Sequence, residues 1–475
     1  MNRRFLAAAA AGAAAVVIGT VMVRRHRHRV ERGTRIARLG ARRAAGYATH
    51  RARRLAATEA RRQELDADFL IRSADDVARE LGQMKGAMMK AGQMLSFIID
   101  GLPDAARESL ATLQQNAPAM APSLAAGVIR TELGGDPTEV FREWSDLPVA
   151  AASIGQVHRA VLPDGREVAV KVQYPGIGDA LESDLSNAQL LYSMFSSVTL
   201  KSLDVEALVD ELRTRMLDEL DYRLEASCQT DFADRYQGHP FVHIPRVIAP
   251  FSTERVLTTE WAEGDDWDGF LARATEDERQ QAGEVLFRFI QGAIYRAGVF
   301  NGDAHPGNYR FGPDNRVTFL DFGLVKRWAP GELESLLPLI DPLIDRDPET
   351  LVEHMESVGF LTPDHGLDAA MVWEYVSRPY LPYLDETFTF TPAFTTEVLA
   401  SLLDLNGPYK DVMNNLDMPA SFVVLDRVVW GMSALLGRLE ATNRWRGILA
   451  EYRFDADPVT ELGRREAAWR RTGGS

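Results

Sequence analysis

The chain has one cysteine, Cys228, in 475 residues. A lone thiol excludes an internal disulfide framework and a cysteine-based zinc site within one chain, and it fits a reducing compartment. Lysine is missing from residues 1–62, where 16 arginines face only Glu31 and Glu59. That leader carries about +14, so the total of −15 leaves about −29 for the rest. So acidic a body argues against nucleic acid as a partner. Glycine is also sparse in AAASIGQV at 150–157, which offers three alanines and a serine before Gly155. This loop of small residues, a strand, a turn at Pro163-Asp164-Gly165 and a second strand ending on Lys171 read as the start of a kinase-like nucleotide site, where glycines normally bring backbone N–H groups against phosphates. The apolar share of 46% and charged share of 25% are those of a globular protein. The length allows two to four domain-sized units.

Residues 5–23, FLAAAAAGAAAVVIGTVMV, are uncharged and followed by RRHRHR. Nineteen residues at about 1.5 Å each just cross a bilayer core of about 30 Å. The arginines behind the run predict a cytoplasmic C-terminal flank, with Arg3 and Arg4 opposing weakly. Alanine is only marginally apolar, so three readings stay open: a single membrane anchor, a cleaved export signal, and an alanine-rich helix lying on a surface or in solution. The anchor is favoured, because export would carry a nucleotide site away from ATP. The arginines at 24–62 then meet anionic lipid heads, and the plain alternative is a solvated basic linker.

Residues 24–65 form an Arg-rich linker, and 66–135 read as a helical extension centred on LGQMKGAMMKAGQMLSFIIDGLP, with breaks at Pro118 and Pro122 and a further helix at 123–133. At 136–263 the period shifts toward strands. In EVAVKV, Val168, Val170 and Val172 share one face, and Ala169, Lys171 and Gln173 the other. A 3.6-period stripe of Val205, Leu208, Val209, Leu212, Met216, Leu220 and Leu224 predicts a long helix. IPRVIAPF and RVLTTEWAEG read as short strands. A helix at 276–298 ends on glycine. YRF and VTFL flank Gly312-Pro313-Asp314-Asn315, a hairpin signal. Residues 264–455 are mostly helical, and 456–475 read as a loose polar tail. The expected fold class is α+β; the motifs described next, and the family they resemble, imply a bilobal protein-kinase-like fold with an N-terminal helical extension and a mostly helical C-terminal lobe.

NGDAHPGN carries the chemistry. Asp303 and Asn308 are five apart, the spacing of the catalytic-loop Asp and Asn in kinase-type phosphotransferases. The acid positions or deprotonates an acceptor, and the amide oxygen holds Mg²⁺. Asp321 opens DFG, and the hairpin before it can bring Asp321 beside Asn308. Two protein oxygens plus phosphate oxygens suit Mg²⁺. DFG alone is weak; the ordered set Lys171, Asp303, Asn308, Asp321 is strong. His305 reads as a loop-packing residue. Lys171 wants an acidic partner on a helix, and ELDYRLEA offers Glu219, Asp221 and Glu225. On one continuous helix Asp221 and Glu225 share a face opposite the leucine stripe, where the plain alternative is a solvated acid face.

These motifs together resemble the UbiB/AarF-type atypical kinase family, a protein-kinase-like group associated with coenzyme Q biosynthesis. The carriers are KAGQMLS (90–96), AAASIGQVH (150–158), VAVKVQYPGI (168–177), ELDYRLEA (219–226), DAHPGN (303–308) and LDFG (320–323). The resemblance implies that Lys171 contacts phosphate with Glu225 as its partner, that Asp303 is the catalytic aspartate, and that Asn308 and Asp321 are metal ligands. Ala150, Ala151, Ala152 and Ser153 join Lys171 and Glu260 as nucleotide-binding residues. Glu219 and Asp221 match the Glu-x-Asp motif. Lys90, Gly92 and Gln93 match the Lys-x-Gly-Gln motif, whose helix is implied to restrain the cleft and exclude protein substrates. ATP or ADP with Mg²⁺ is the implied cofactor set. Asn301 departs from the histidine many members carry there, which leaves the loop's support to be found. No Ala-Pro-Glu follows DFG, which argues against a grip on protein substrates.

The expectation is an atypical kinase-like ATPase on the cytoplasmic side of a membrane. Its partners would be a membrane surface or anionic lipid, and lipid or quinone-pathway proteins. The alternatives are a small-molecule phosphotransferase of the aminoglycoside/choline-kinase type and a nucleotide-binding scaffold.

Overall fold

The computed structural model describes residues 120–152, 154–178, 218–301, 304–328, 330–362, 366–402, 407–416 and 420–473. The anchor at 5–23, the Arg-rich linker, the Lys-x-Gly-Gln helix, Ser153, Asp303 and most of the leucine stripe lie outside them.

A five-stranded antiparallel sheet forms the first half. Its strands are β1 (Glu143–Trp144), β2 (Ala150–Ala152), β3 (Gly155–Val161), β4 (Glu167–Gln173) and β6 (Val256–Glu260), ordered β1-β3-β4-β6 with β2 paired to β3. The turn between β3 and β4 uses Pro163, Asp164 and Gly165, with Gly165 at φ 93° and Asp164 Oδ1 accepting from Arg166 N at 3.1 Å. Helix α1 (Pro122–Leu133) starts at a proline and stops at Gly134, φ 83°. Its Ala125, Val128 and Ile129 pack with Val168, Val170 and Val172. The β-branched face expected from the period-2 pattern is thus the buried one.

A polar chain runs through this core. His158 Nδ1 lies 2.7 Å from Ser145 O, and its Nε2 lies 2.8 Å from Gln156 Nε2. The Gln156 Oε1 accepts from Met120 N at 2.9 Å, and Trp144 stacks on the imidazole at 4.5 Å. Only a neutral His158 with its proton on Nδ1 satisfies every partner. Burial lowers its pKa in agreement.

The second half is built around α5 (Glu276–Tyr295), opened by a capping box of Thr275 and Glu278 and buried over 282–294. Before it come α2 (Pro137–Val140), α3 (Tyr222–Arg235), β5 (Val242–His243) and α4 (Trp267–Arg273). After it, β7 (Val299–Asn301) pairs with β10 (Val325–Arg327), and β8 (Tyr309–Phe311) forms the expected hairpin with β9 (Val317–Phe319), which β5 joins in parallel. Asp314 and Asn315 take positive φ in that turn. Helices α6 (Glu332–Asp345), α7 (Pro348–Ser357), α8 (Ala369–Val376), α9 (Pro392–Leu402), α10 (Lys410–Asn415), α11 (Ala420–Leu439), α12 (Trp445–Arg453) and α13 (Glu461–Arg471) complete it, with a short pairing of β11 (Phe388–Thr389) and β12 (Thr442–Asn443). Among the described residues, no helix is long and apolar enough to cross a membrane.

Three expectations are corrected. IPRVIAPF is no strand: it makes one bridge, Val247 to Thr259, and a 3₁₀ turn at Ala249–Phe251. Pro245 and Pro250 remove the donors a strand would need. The leucine stripe does not run through 224. The chain breaks at 219–221, α3 starts afresh at Tyr222, and Leu224 is 49% exposed. Residues 456–473 are not loose. Helix α13 docks by Leu462 and Glu466. There Arg288 Nη1 lies 2.7 Å from Glu451 and 3.2 Å from Glu466, and its Nε 2.7 Å from Glu284.

His239 gives a pH prediction. Its Nδ1 accepts from Val242 N at 3.0 Å, and burial, aided by Arg288 and Arg465, pushes its pKa down to about 3. The folded state therefore binds fewer protons than the unfolded state below the ordinary histidine value of 6.5. Stability should be full above pH 6.5 and fall below it, with His239 contributing about 1.4 kcal/mol per pH unit. His239→Asn keeps an acceptor and cannot be protonated. Denaturant titrations between pH 7.5 and 5 should show a shallower acid loss in this variant; an identical slope would refute the assignment.

Candidate functional site

Lys171 sits in β4 with its Cα opposite Val157 of β3 and Leu257 of β6. Strand alternation turns it away from the valines that bury against α1. Its Nζ donates to both Glu225 oxygens, at 2.9 and 2.8 Å, and lies 3.7 Å from Asp321 Oδ2. The Tyr222 ring is 5.1 Å away, within cation–π range. Burial alone would pull the ammonium's pKa down, but Glu225 and then Asp321 hold it well above the ordinary lysine range. Lys171 therefore stays charged, with two hydrogen bonds to Glu225 and the Asp321 carboxylate beside it. Burial in turn raises the Glu225 pKa, which Lys171 opposes.

Glu225 reaches this position because α3 begins at Tyr222. Asp221 is the N-cap: its Oδ1 accepts from Arg223 N at 3.0 Å and from Arg223 Nε at 2.8 Å, and these bonds lower its pKa. The buried face of α3 is then Tyr222, Glu225, Gln229, Phe232 and Ala233. Asp221 and Glu225 do not share a solvated face, and Glu225 is 6% exposed. Glu219 lies in the preceding turn, where its charge adds to the upward shifts of Tyr222 and Glu225. Tyr222 was the residue the sequence reading missed. Its signal was spacing: it stands three before Glu225, on the same helical face.

The DFG segment closes the site from the other half. Leu320 N donates to Asn308 O at 3.0 Å, so the hairpin does return Asp321 to the neighbourhood of Asn308. Gly323 N donates to Asp321 Oδ1 at 2.9 Å, and Phe322 is buried against Phe232 of α3 at 5.0 Å. The Asn301 side-chain amide donates to the Asp321 carbonyl. His305 behaves as a loop residue, its Nδ1 accepting from Gly307 N at 3.1 Å. Asp303 lies outside the described residues, between Asn301 and Ala304.

The alanine loop is a strand. Ala150, Ala151 and Ala152 pair with Val157, Gln156 and Gly155, and the first two are exposed. Gly155 is needed for close approach: a Cβ there would stand 2.3 Å from Val172 O and 2.8 Å from the Tyr222 hydroxyl. Glu260 spends its carboxylate on the adjoining loop, accepting from Arg246 N at 3.0 Å.

The donor set fits magnesium. The Asp321 carboxylate and the Asn308 amide are hard oxygen donors on adjacent segments, and Mg²⁺ is held by one or two such ligands with water and phosphate supplying the rest. Lys171 adds a fixed positive charge beside them.

Breaking the ion pair tests its structural share. Glu225→Ala leaves Lys171 buried beside Asp321 alone, and stability should fall by about 3 kcal/mol. Lys171→Met with Glu225→Leu should recover most of that loss in urea titrations. A Glu225→Ala variant as stable as the parent would mean that water already satisfies the lysine.

Comparison with known proteins follows the same line. The model of the ABC1 atypical kinase-like domain matches residues 112–355. The chain is 32% identical to Protein ACTIVITY OF BC1 COMPLEX KINASE 8, chloroplastic, of Arabidopsis thaliana, over 59% of this chain and 38% of that one. It is also 32% identical to Atypical kinase coq-8, mitochondrial, of Caenorhabditis elegans, over 61% and 39%. The match thus spans about two fifths of the length of these two relatives. Among solved structures, the Rv3197–erythromycin complex from Mycobacterium tuberculosis superposes with a TM-score of 0.61 at 32% identity, covering 82% of this chain and 98% of that one. The paired Lys171 and Glu225, the DFG turn beside them and these matches lead to one conclusion: the chain belongs to the ABC1 atypical kinase-like family, the UbiB/AarF group.

Proposed function

We propose that the chain is an atypical kinase-like ATPase that binds Mg-nucleotide at a membrane surface and supports quinone or isoprenoid lipid metabolism. The observation that carries this reading is the pair of Lys171 and Glu225, 54 residues apart in sequence, with Asp321 at 3.7 Å from the amine. A partly buried ammonium held by one carboxylate and facing a second is a site for phosphate oxygens beside a divalent cation. Lys171 would bind phosphate and be kept in line by Glu225 and Tyr222. Asn308 and Asp321 would hold Mg²⁺, which when bound neutralises the charge on the transferred phosphoryl. Asp303, by resemblance, would orient the acceptor. The exposed methyls of Ala150 and Ala151 would keep the hairpin farther from phosphate than glycines would, which supports a shifted balance between ATP and ADP.

The lipid setting rests on the basic leader and the uncharged run at 5–23, and the relative named coq-8 is mitochondrial. A second reading is favoured by the erythromycin in the M. tuberculosis complex: a small hydroxylated molecule as ligand or acceptor, the small-molecule phosphotransferase weighed from the sequence.

Purified full chain should hydrolyse Mg-ATP slowly and faster with anionic liposomes, and a chain starting near residue 62 should lose the stimulation. Turnover that requires a soluble alcohol would favour the second reading, and binding without turnover would sink both enzyme readings. Lys171→Met should lower turnover by about 100-fold or more. Ala151→Gly should change the ratio of ATP to ADP affinity by titration; an unchanged ratio removes the role given to the alanines.

A further inference from the structure

We propose that Asn301 is a positioning residue for the metal-ligand aspartate: its side-chain amide fixes the Asp321 main-chain carbonyl and thereby aims the Asp321 carboxylate. This rests on the Mg-nucleotide reading above and adds a residue that it does not use.

The geometry makes Asp321 depend on outside support. Strand β9 ends at Phe319 and β10 starts at Val325, so residues 320–324 cross from one small sheet to another without a ladder of their own. Among the described residues, three hydrogen bonds contribute to holding the crossing. Leu320 N donates to Asn308 O at 3.0 Å, Gly323 N donates to Asp321 Oδ1 at 2.9 Å, and Asn301 Nδ2 donates to Asp321 O. The second bond lies within the turn itself and turns with it. The first anchors the residue before Asp321. Only the Asn301 bond, of these three, grips the peptide unit that joins Asp321 to Phe322, and so limits rotation about the Asp321 Cα–C bond, which sets the carboxylate against the turn that follows.

Asn301 can do this because its own backbone is fixed. It ends β7, with its Cα opposite Val325, and Phe300 and Val299 continue the pairing to Lys326 and Arg327. The same strand end leads within two residues to Asp303. Asn301 and Asn308 also line one small pocket. One side chain thus ties the segment that carries the acceptor-orienting aspartate to the segment that carries the metal ligand. The requirement is an N–H donor of the right reach at position 301. A carboxamide supplies it without titrating, and the histidine expected from the family resemblance is also an N–H donor of similar reach, carried on a ring. The departure noted in the sequence therefore conserves the donor while changing the side chain.

The test uses full-length Asn301→Ala, Asn301→Asp and Asn301→His. Isothermal titration would give ATP affinity at several Mg²⁺ concentrations and without metal, alongside thermal melts. Outer supports of a metal ligand are worth 10–100-fold in metal affinity. Asn301→Ala and Asn301→Asp should therefore raise the Mg²⁺ concentration for half-maximal binding by about tenfold, with metal-free ATP affinity within about twofold. Asn301→His should return most of the Mg²⁺ dependence. A folded Asn301→Ala with unchanged Mg²⁺ dependence overturns the proposal. So does an equal loss with and without metal that histidine does not rescue, since that is general loosening. Amide exchange of residues 320–323 in metal-free protein separates this from the functional reading. Exchange should quicken in Asn301→Ala and recover in Asn301→His. If the unsubstituted protein binds no Mg-nucleotide, the functional reading falls and the metal role with it, while unchanged exchange would overturn the support of Asp321 itself.

Discussion

The bond between Lys171 and Glu225 is the constraint on which the rest of the site depends. It joins the middle of β4 to the first turn of α3 across 54 residues of sequence, and both side chains are mostly out of water. A charge in that position is tolerated only if its partner is held close on both sides. The sheet fixes the lysine through pairing with β3 and β6. The cap at Asp221 fixes where α3 begins, and so which residue of ELDYRLEA faces inward. Phe322, packed on Phe232 of the same helix, ties the DFG turn to it. Loss of any of these three supports would be felt at the same ammonium.

The parts legible in the sequence were those set by local rules. Alternation in EVAVKV assigned the buried valines and the facing lysine, because a period of two leaves no other choice once one face is apolar. The turn at 312–315 announced the hairpin that returns Asp321 to Asn308. The choice among Glu219, Asp221 and Glu225 was not legible by periodicity, because the 3.6-residue count assumed one helix through 224. Asp221 hydrogen-bonds the new helix's own amide, restarts the count, and inverts which face is wet. The family resemblance favoured Glu225 where helix geometry left it open. IPRVIAPF misled for a related reason: its apolar residues look like a strand, yet its prolines leave it one bridge.

Helix α13 was unreadable for a different reason. ELGRREAAWRR has few apolar residues, Leu462 and Trp469 the only large ones, and its buried carboxylate, Glu466, meets a guanidinium 178 residues away. No local pattern encodes a partner at that distance. The buried GQVH segment is similar. Gln156 and His158 read as part of a loop motif, but they form a closed relay from Ser145 to Met120. Met120, the first described residue and part of the N-terminal extension, is thereby fastened to the strand that pairs with the three alanines.

The long reach of Arg288 has a consequence for the order of synthesis. The guanidinium leaves the ribosome with Glu284 already out four residues ahead of it, but Glu451 and Glu466 follow only after 163 and 178 further residues. Until they arrive, the centre of α5 holds a cation with a single counter-charge, and the helical half cannot close dry around it. The sheet can settle during translation. The half that carries the DFG turn must wait for the final helices, so the two halves mature at different times.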